Sequence, residues 1–155
     1  MTHADLHQTN VKEVDIRCAY LQSPTLEKHY IICGPEFGLD NVGKRAVIKR
    51  AFYGGKSAGS DFWHHICSCM YHLSFKSSKS DPDVWMRRSF CADGITPYYE
   101  YVLLYVDDCL VVNDRAESMI RNEIGKYFRL KEESIGDPSQ YLGGKLRKVK
   151  LENGV

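Results

Sequence analysis

The sequence lacks a long apolar run and has almost no excess of charge of either sign. Its 155 residues carry 21 Lys and Arg against 20 Asp and Glu, which leaves a net charge of +1. A helix that spans a bilayer needs about 20 apolar residues in a row, and no stretch of the chain meets that requirement. The N-terminus also lacks the basic-then-apolar layout of a signal peptide. These absences predict an intracellular protein with no membrane partner.

Near-neutral charge is unusual for a complete nucleic-acid enzyme, which normally carries a basic excess. Basic residues do concentrate in two clusters, and each fits a solvated face as well as a nucleic-acid surface. The first cluster is Lys44, Arg45, Lys49, Arg50 and Lys56, and the second is Lys145, Arg147, Lys148 and Lys150.

Cysteine pairs at zinc-ligand spacing are missing as well. The six cysteines are scattered, and the two closest, Cys67 and Cys69, would not face the same way on a helix. Because zinc sites normally present Cys-x-x-Cys pairs or Cys and His clusters, the pattern predicts reduced, mostly buried thiols. A P-loop is also excluded, since Arg50 stands where the motif ending at Gly55 and Lys56 requires a glycine.

The strongest local signal is a pair of acids inside an apolar segment. Residues 98–112 read Tyr-Tyr-Glu-Tyr-Val-Leu-Leu-Tyr-Val-Asp-Asp-Cys-Leu-Val-Val. The β-branched and aromatic runs predict two strands, with Asp107 and Asp108 at the tip of a hairpin. Adjacent carboxylates are costly to bury unless a turn exposes them or a cation neutralises them. The pattern therefore indicates a divalent-metal site, although a solvated turn with two acids has the same pattern.

The predicted turn lacks the residues that usually relax a hairpin. Asn-Gly, Asp-Gly and Gly-Gly are all absent from it. Either the turn is wider than two residues, or a non-glycine residue in it adopts an uncommon backbone conformation. Backbone strain of that kind clusters at functional sites.

Periodicity in the rest of the chain predicts further strands and two helices. Alternation over residues 11–21 predicts a strand that ends near residues 15–18, with Val14 and Ile16 on one side and Asp15 on the other. Other strands are expected at residues 29–33, 84–87, 98–105 and 140–149. One helix is predicted over residues 60–73, with Ser57 or Ser60 as its N-cap. A second helix, capped by Asn113 or Asp114, has a predicted buried stripe of Met119, Ile120, Ile124, Tyr127 and Phe128.

This element order predicts a single α+β domain over residues 1–155, with helices packed on one face of an antiparallel sheet. Asp15 either caps the turn after its strand or, on a central strand, lies beside the hairpin tip and joins Asp107 and Asp108. Three carboxylates would repel one another unless a divalent ion took their oxygens as ligands. Two magnesium ions about 4 Å apart could then clamp the attacking and leaving oxygens of a phosphoryl transfer.

Six short motifs follow one another along the chain. They are Asp-Ile-Arg-Cys-Ala-Tyr-Leu at residues 15–21, Gly-Pro-Glu-Phe-Gly at 34–38, Ala-Phe-Tyr-Gly-Gly-Lys-Ser at 51–57, Asp-Pro-Asp-Val-Trp-Met at 81–86, Tyr-Val-Asp-Asp at 105–108 and Tyr-Leu-Gly at 141–143. In this order they resemble the reverse transcriptase domain of Ty1/copia-type retrotransposons, and the resemblance covers roughly residues 14–154.

The resemblance implies a role for each matching residue. Asp15, Asp107 and Asp108 would be the catalytic carboxylates that bind two Mg²⁺ or Mn²⁺ ions. The nucleotide-binding residues would be Cys18, Ala19, Tyr20 and Lys56, with backbone amides near Cys18 and Ala19 meeting the triphosphate and Tyr20 excluding a 2′-hydroxyl. Contacts to template and primer would come from Gly54, Ser57, Tyr105 and Val106.

The implied function is RNA-directed DNA synthesis by a polymerase palm, with transfer of a nucleotide from dNTP to a primer 3′-hydroxyl. The expected partners are an RNA or DNA template with a DNA primer, dNTP, and the fingers, thumb, RNase H and integrase segments of a polyprotein. The expected location is a cytoplasmic particle, the nucleus or both. Where the family commonly has Leu and Gln, this chain has Gly55 and Ser57, which predicts a looser loop.

Two other functions fit the residues. The chain begins just ahead of Asp15 and is short of complete fingers and thumb, so it could be an inactive remnant or host-adopted palm that only binds nucleic acid or a partner. It could also be another two-metal nucleotidyl enzyme, such as a cyclase, which would act on nucleoside triphosphate without a template.

Overall fold

A computed structural model describes residues 9–91 and 93–147 of the chain. The contacts divide it into two units, which we call the sheet unit (Met1–Arg17 and Ser68–Val155) and the ribbon unit (Cys18–Cys67). The helices are α1 (Ala19–Gln22), α2 (Ala58–His72) and α3 (Ala116–Asn122). The strands are β1 (Asn10–Asp15), β2 (Pro24–Ile32), β3 (Arg45–Arg50), β4 (Lys76–Ser77), β5 (Val84–Phe90), β6 (Pro97–Tyr105), β7 (Asp108–Asn113), β8 (Gln140–Tyr141) and β9 (Gly144–Lys145).

The sheet unit is built on five antiparallel strands in the order β1-β7-β6-β5-β4. β6 alternates, with Tyr98, Glu100, Val102 and Leu104 buried and the residues between them more exposed. β7 lies between β1 and β6, and its run from residue 109 to 111 is buried without alternation, as expected for a strand covered on both faces. The predicted α+β class with an antiparallel sheet is confirmed.

β1 is an edge strand of this sheet, so the expectation that Asp15 lies on a central strand is wrong. Its outer edge is nevertheless covered by the later segment 129–136. Glu13 and Gly136 exchange backbone hydrogen bonds, and the amide of Arg17 donates to the carbonyl of Arg129 at 3.0 Å. These bonds use the backbone groups that an open edge would leave unpaired. As predicted, Val14 and Ile16 are buried.

The ribbon unit contains α1, the β2-β3 ribbon and the first part of α2. β2 and β3 pair antiparallel, from Ile32 opposite Arg45 to Pro24 opposite Arg50, with a register shift between Pro24 and His29. The predicted strand at residues 29–33 is therefore part of a longer strand. α1 was not predicted, because its four residues are too few to show a helical period.

The predicted first helix is confirmed, since α2 buries Phe62, Ile66, Cys69 and Met70 as expected.

The second helix, α3, is shorter than the predicted apolar stripe, which ran to Phe128. α3 ends at Asn122 and a 3₁₀ turn follows at Ile124–Lys126, so Tyr127 leaves the apolar stripe and is 43% exposed. α3 packs against β1 and β7. The N-cap position is Arg115, whose amide donates to Asn113 Oδ1 at 2.6 Å.

The single strand predicted over residues 140–149 is wrong in its described part. β8 and β9 instead form a hairpin whose turn contains Leu142 with a φ of 50° and Gly143 with a φ of 76°. Positive φ at both central residues is the signature of a type I′ turn, which reverses the chain. Residues 148 and 149 of that prediction, and the basic residues Lys148 and Lys150, lie outside the described residues.

Within the described part of the chain, no helix combines the length and apolar character needed to cross a membrane. All six cysteines are free thiols, and four of them, Cys33, Cys67, Cys69 and Cys109, are buried. The burial of these four confirms the prediction of mostly buried cysteines, and their reduced state in solution stays a prediction.

Candidate active site

The acid pair lies at a two-residue turn between β6 and β7. Tyr105 pairs directly with Asp108, so only Val106 and Asp107 lie between the strands. Val106 has a φ of 53°, a left-handed conformation that costs a β-branched residue about 1–2 kcal/mol. Of the two explanations for a turn without glycine, the uncommon backbone conformation is therefore the one observed.

Strand register places Asp15 beside this turn. Asp15 is the last residue of β1 and pairs with Asp108, the first residue of β7. The amide of the next residue, Ile16, donates to the carbonyl of Asp107 at 2.9 Å. The side chains of directly opposed residues in a sheet lie on the same face, about 5 Å apart at Cβ. The fold thus brings together Asp15 and Asp108, with Asp107 adjacent in the turn.

The carboxylate of Asp15 is held by a lysine from the segment after α3. Lys131 Nζ donates to Asp15 Oδ2 at 2.5 Å, and the Lys131 amide donates to the Asp15 carbonyl at 2.9 Å. The amide of Asp15 donates to Ser134 Oγ at 2.9 Å, and that hydroxyl donates to the Lys131 carbonyl at 2.7 Å. Asp15 is therefore part of a tight local network and does not cap the turn after β1.

The second oxygen of Asp15 has no partner. Asp15 Oδ1 is buried and accepts no hydrogen bond from any described residue. A buried carboxylate oxygen without a donor loses its hydration with nothing in exchange. A cation or a water molecule at this oxygen would restore the lost interaction.

Mutual repulsion and burial act on the acids. The pKa of Asp108 is raised, first by burial and then by the charges of Asp107 and Asp15, while Lys131 opposes the rise. The hydrogen bond to Asp15 raises the pKa of Lys131. The Asp108 shift thus reflects a carboxylate that loses hydration beside two other acids, a setting in which a bound cation would favour the ionised form.

No preformed metal cage is present among residues 9–91 and 93–147, since no three His, Cys, Asp or Glu side chains there converge as ligands. The residues still fit a divalent ion of the magnesium type. That ion prefers carboxylate oxygens and keeps several waters, so it needs only one or two carboxylates. The partnerless Asp15 Oδ1 and the cross-strand Asp108 supply such oxygens.

A cavity of about 230 Å³ opens beside Asp15 and Asp108. The other residues that line it are Glu13, Val14, Cys109, Ser134, Ser139, Gln140 and Tyr141. The pKa of Tyr141 is raised to about 12, first by burial and then by nearby negative charge. The Tyr141 phenol is neutral at physiological pH, so it can donate a hydrogen bond to a group bound in the cavity.

The sequence was compared with models of known protein families. Residues 2–151 match the family described as Reverse transcriptase (RNA-dependent DNA polymerase). The chain belongs to the reverse transcriptase family. A search of curated proteins found no match. The match confirms the resemblance at the level of a reverse transcriptase domain, and it extends over nearly all of the chain.

In this reverse transcriptase domain, the residues expected to bind nucleotide lie in the ribbon unit. Cys18 is exposed and has a φ of 48°, and Ala19 is buried at the start of α1. The ring of Tyr20 packs 4.9 Å from Tyr53 and 6.1 Å from Phe62, measured between ring centroids. These aromatic neighbours restrict the movement of the Tyr20 ring, and its role at the nucleotide stays a prediction.

The loop at residues 54–57 contains a hydrogen-bonded turn, and its looseness relative to the family stays a prediction. Gly54 has a φ of 90°, and the amide of Gly55 donates to the Phe52 carbonyl at 3.0 Å. A Cβ atom at Gly55 would come within 3.1 Å of that carbonyl oxygen, so the residue fits the turn because it has no side chain. Lys56 is exposed. Ser57 Oγ donates to Asp61 Oδ2 at 3.0 Å, so its hydroxyl is already used inside the ribbon unit.

The two residues expected to contact template and primer from the hairpin are accessible. Tyr105 is 54% exposed and Val106 is 50% exposed. Sequence reasoning missed Lys131 and Ser134 altogether. Neither carried a local signal, because they follow α3 in a polar stretch and reach Asp15 only through the pairing of residues more than 110 positions apart.

Proposed function

We propose that this reverse transcriptase domain is the palm portion of a copia-type enzyme that adds deoxynucleotides to a primer. The observation that carries the proposal is the direct pairing of Asp15 with Asp108 next to Asp107. The family match supplies the reaction class, RNA-directed DNA synthesis, and hence the substrates: a template, a primer and dNTP.

Asp15, Asp107 and Asp108 would hold two magnesium or manganese ions. Such ions, when bound, activate the primer 3′-hydroxyl and neutralise the leaving pyrophosphate. The chain's own residues contribute position. β1 and β7 fix two carboxylates on one face of the sheet, and the strained turn at Val106 fixes the third. The cavity beside them, walled by Tyr141, offers space for part of a substrate.

The ribbon unit would contribute nucleic-acid contacts. Lys44, Arg45, Lys49, Arg50 and Lys56 are all exposed on it. Arg45 lies over the ring of Tyr30, with its guanidinium carbon 5.3 Å from the ring centroid. Exposed cations interleaved with aromatic rings suit a phosphate backbone and unstacked bases. Cys18, Ala19, Tyr20 and Lys56 are proposed to bind the incoming nucleotide, and Gly54, Ser57, Tyr105 and Val106 to contact template and primer.

The experiment is extension of a DNA primer on an RNA template with magnesium or manganese. The chain is compared with Asp107→Asn and Asp108→Asn, and with Asp137→Asn as a control that removes the same charge from an exposed residue paired with Lys12. We expect extension by the parent and the control, and only background in the two site variants. Equal extension by all four would overturn the proposal.

A second function is favoured by two observations: Lys131 already pairs with Asp15, and no group of three potential metal ligands converges among the described residues. In that case the chain is a non-catalytic palm that binds nucleic acid. It would bind an RNA–DNA hybrid with an affinity that falls steeply with salt, and it would show no metal-dependent extension. Extension that is lost in the aspartate variants would exclude this function.

A further inference from the structure

Lys131 donates a hydrogen bond to Asp15 Oδ2, one of the carboxylate oxygens that a metal ion could use as a ligand. Its Nζ lies 2.5 Å from Asp15 Oδ2, in a pair whose side chains are 40% and 23% exposed. Lysine carries a full positive charge at neutral pH. An ion that bound Asp15 through both oxygens would have to displace this ammonium group.

We propose that Lys131 is a tethered cation that competes with the divalent ion for Asp15 and so determines how tightly the site binds metal. The inference rests on the proposed metal site. It assigns to Lys131 a role in metal affinity that is separate from the roles of the three acids.

The side chain of Lys131 can leave Asp15 without becoming unpaired. Asp107 and Glu133 both add to the negative field at its ammonium group. Glu133 is exposed and holds Arg17 only loosely, at 3.6 Å. Because Lys131 has a flexible four-carbon stem, its ammonium group can turn toward Glu133, which is not one of the proposed metal ligands, when a metal ion binds Asp15.

The backbone around Asp15 does not depend on the ammonium group. The Lys131 amide donates to the Asp15 carbonyl at 2.9 Å, and Ser134 Oγ accepts from the Asp15 amide at 2.9 Å. Both bonds survive in Lys131→Met, which also keeps an unbranched apolar stem. Loss of the charge can thus be studied without loss of the fold.

The test is titration of the full chain with Mn²⁺, measured as free Mn²⁺ by electron paramagnetic resonance, followed by competition with Mg²⁺. Partly exposed ion pairs of this kind are weak, so we expect Lys131→Met to bind Mn²⁺ about two- to fivefold more tightly than the parent. Lys131→Arg keeps the cation and should bind like the parent. Lys12→Met is the matched control, because it removes the same charge and an ion pair from the same unit, and it should also bind like the parent.

Each other outcome overturns the inference in a distinguishable way. Equal or weaker binding by Lys131→Met, with binding by the parent intact, contradicts competition but leaves the proposed metal site standing. Equal tightening in Lys12→Met shows a general effect of charge and also contradicts it. Absence of Mn²⁺ binding in the parent and every variant overturns the metal site and the inference together.

Discussion

The sheet unit and the ribbon unit use their apolar residues in opposite ways. In the sheet unit, Val102 and Val111 are completely buried between paired strands. In the ribbon unit, Leu26 is 63% exposed and Ile32 is 68% exposed on a two-stranded ribbon. A two-stranded ribbon is marginally stable by itself. The acids are thus fixed by a buried ladder, whereas the basic residues proposed to contact nucleic acid lie on an exposed ribbon with little core of its own.

Each unit contains one tryptophan, which allows the comparison to be measured. Trp85 belongs to the sheet unit and is 1% exposed, whereas Trp63 belongs to the ribbon unit and is 41% exposed. In a Trp63→Phe background, fluorescence reports unfolding of the sheet unit alone. Variants of the sheet unit are therefore measured in the Trp63→Phe background.

The largest effect is expected from breaking the buried ionic network of the sheet unit. Glu100 is 2% exposed and accepts from Arg87 Nε and from Asn113 Nδ2, each at 2.7 Å. Glu100→Ala leaves these donors without an acceptor, and we expect the free energy of unfolding to fall by about 3 kcal/mol. Urea denaturation measures it. Glu117→Ala, in an exposed pair with Arg121, is the control and should cost less than about 0.5 kcal/mol.

A matched pair of valines compares the two units directly. Val111 on β7 is 0% exposed, and Val47 on β3 is 57% exposed. Val111→Ala should lower the free energy of unfolding by about 2 kcal/mol through lost burial and a cavity. Val47→Ala should cost about 0.5 kcal/mol or less. Similar losses in both variants, measured by urea denaturation, would show that the ribbon is covered in solution and that the contrast between the units is wrong.

A glycine at position 106 should relieve the backbone strain of the turn and stabilise the fold relative to an alanine there. Val106→Gly removes the cost of a φ of 53° at a β-branched residue, offset in part by the greater freedom of glycine in the unfolded chain. Val106→Ala removes the same methyl groups but keeps the strain. We expect the glycine variant to be more stable than the alanine variant by about 0.5–1 kcal/mol, from thermal unfolding. A less stable glycine variant would contradict the left-handed turn.

The smallest effect is a pH-dependent one. The folded state raises the pKa of Asp108, so the folded chain binds that proton more tightly than the unfolded chain. The protonated form therefore stabilises the fold below the unfolded pKa of about 3.9, and this contribution is lost as pH rises from there through the higher folded pKa. Because Asp108 is exposed and screened, Asp108→Asn should gain only a few tenths of a kcal/mol at pH 7, and the gain should vanish near pH 3.

Asp93 is a control for that measurement, because its pKa is shifted in the opposite direction. Hydrogen bonds from Thr96 and the Ile95 amide lower the pKa of Asp93. Its ionised form therefore stabilises the fold above the unfolded pKa, and that contribution is lost as pH falls. Asp93→Asn should reduce stability at pH 7 and not at pH 3. A gain at pH 7 in this variant would contradict the lowered pKa of Asp93.

The secondary-structure elements predicted correctly from the sequence are those whose apolar residues recur at regular spacing. The alternation around Val14 and Ile16 and the apolar stripe of α2 each gave the correct element. The hairpin at Asp107 and Asp108 was found because carboxylates interrupt a strand pattern. The position of Asp15 beside the hairpin tip followed from placing all three acids in one sheet, but its direct pairing with Asp108 and the position of β1 at the edge did not.

What sequence could not provide depends on contacts distant along the chain. Lys131 reaches Asp15 across 116 residues, and no local pattern marks it. The hairpin of β8 and β9 was missed because Leu142 adopts a φ of 50°, which leucine rarely does. Four-residue α1 is too short for a periodic signal. The extent of the reverse transcriptase domain, its palm assignment and the roles of its site residues stay predictions.

The most direct test of the account is to locate the bound metal. Amide resonances of the isotope-labelled chain are recorded by NMR with substoichiometric Mn²⁺, which broadens signals from nearby nuclei. If strand pairing builds the metal site, broadening should centre on residues 14–16 and 106–109 and extend to Lys131, and Asp108→Asn should reduce it. Broadening centred elsewhere, or none at Asp15 and Asp108 while other residues respond, would contradict the central claim.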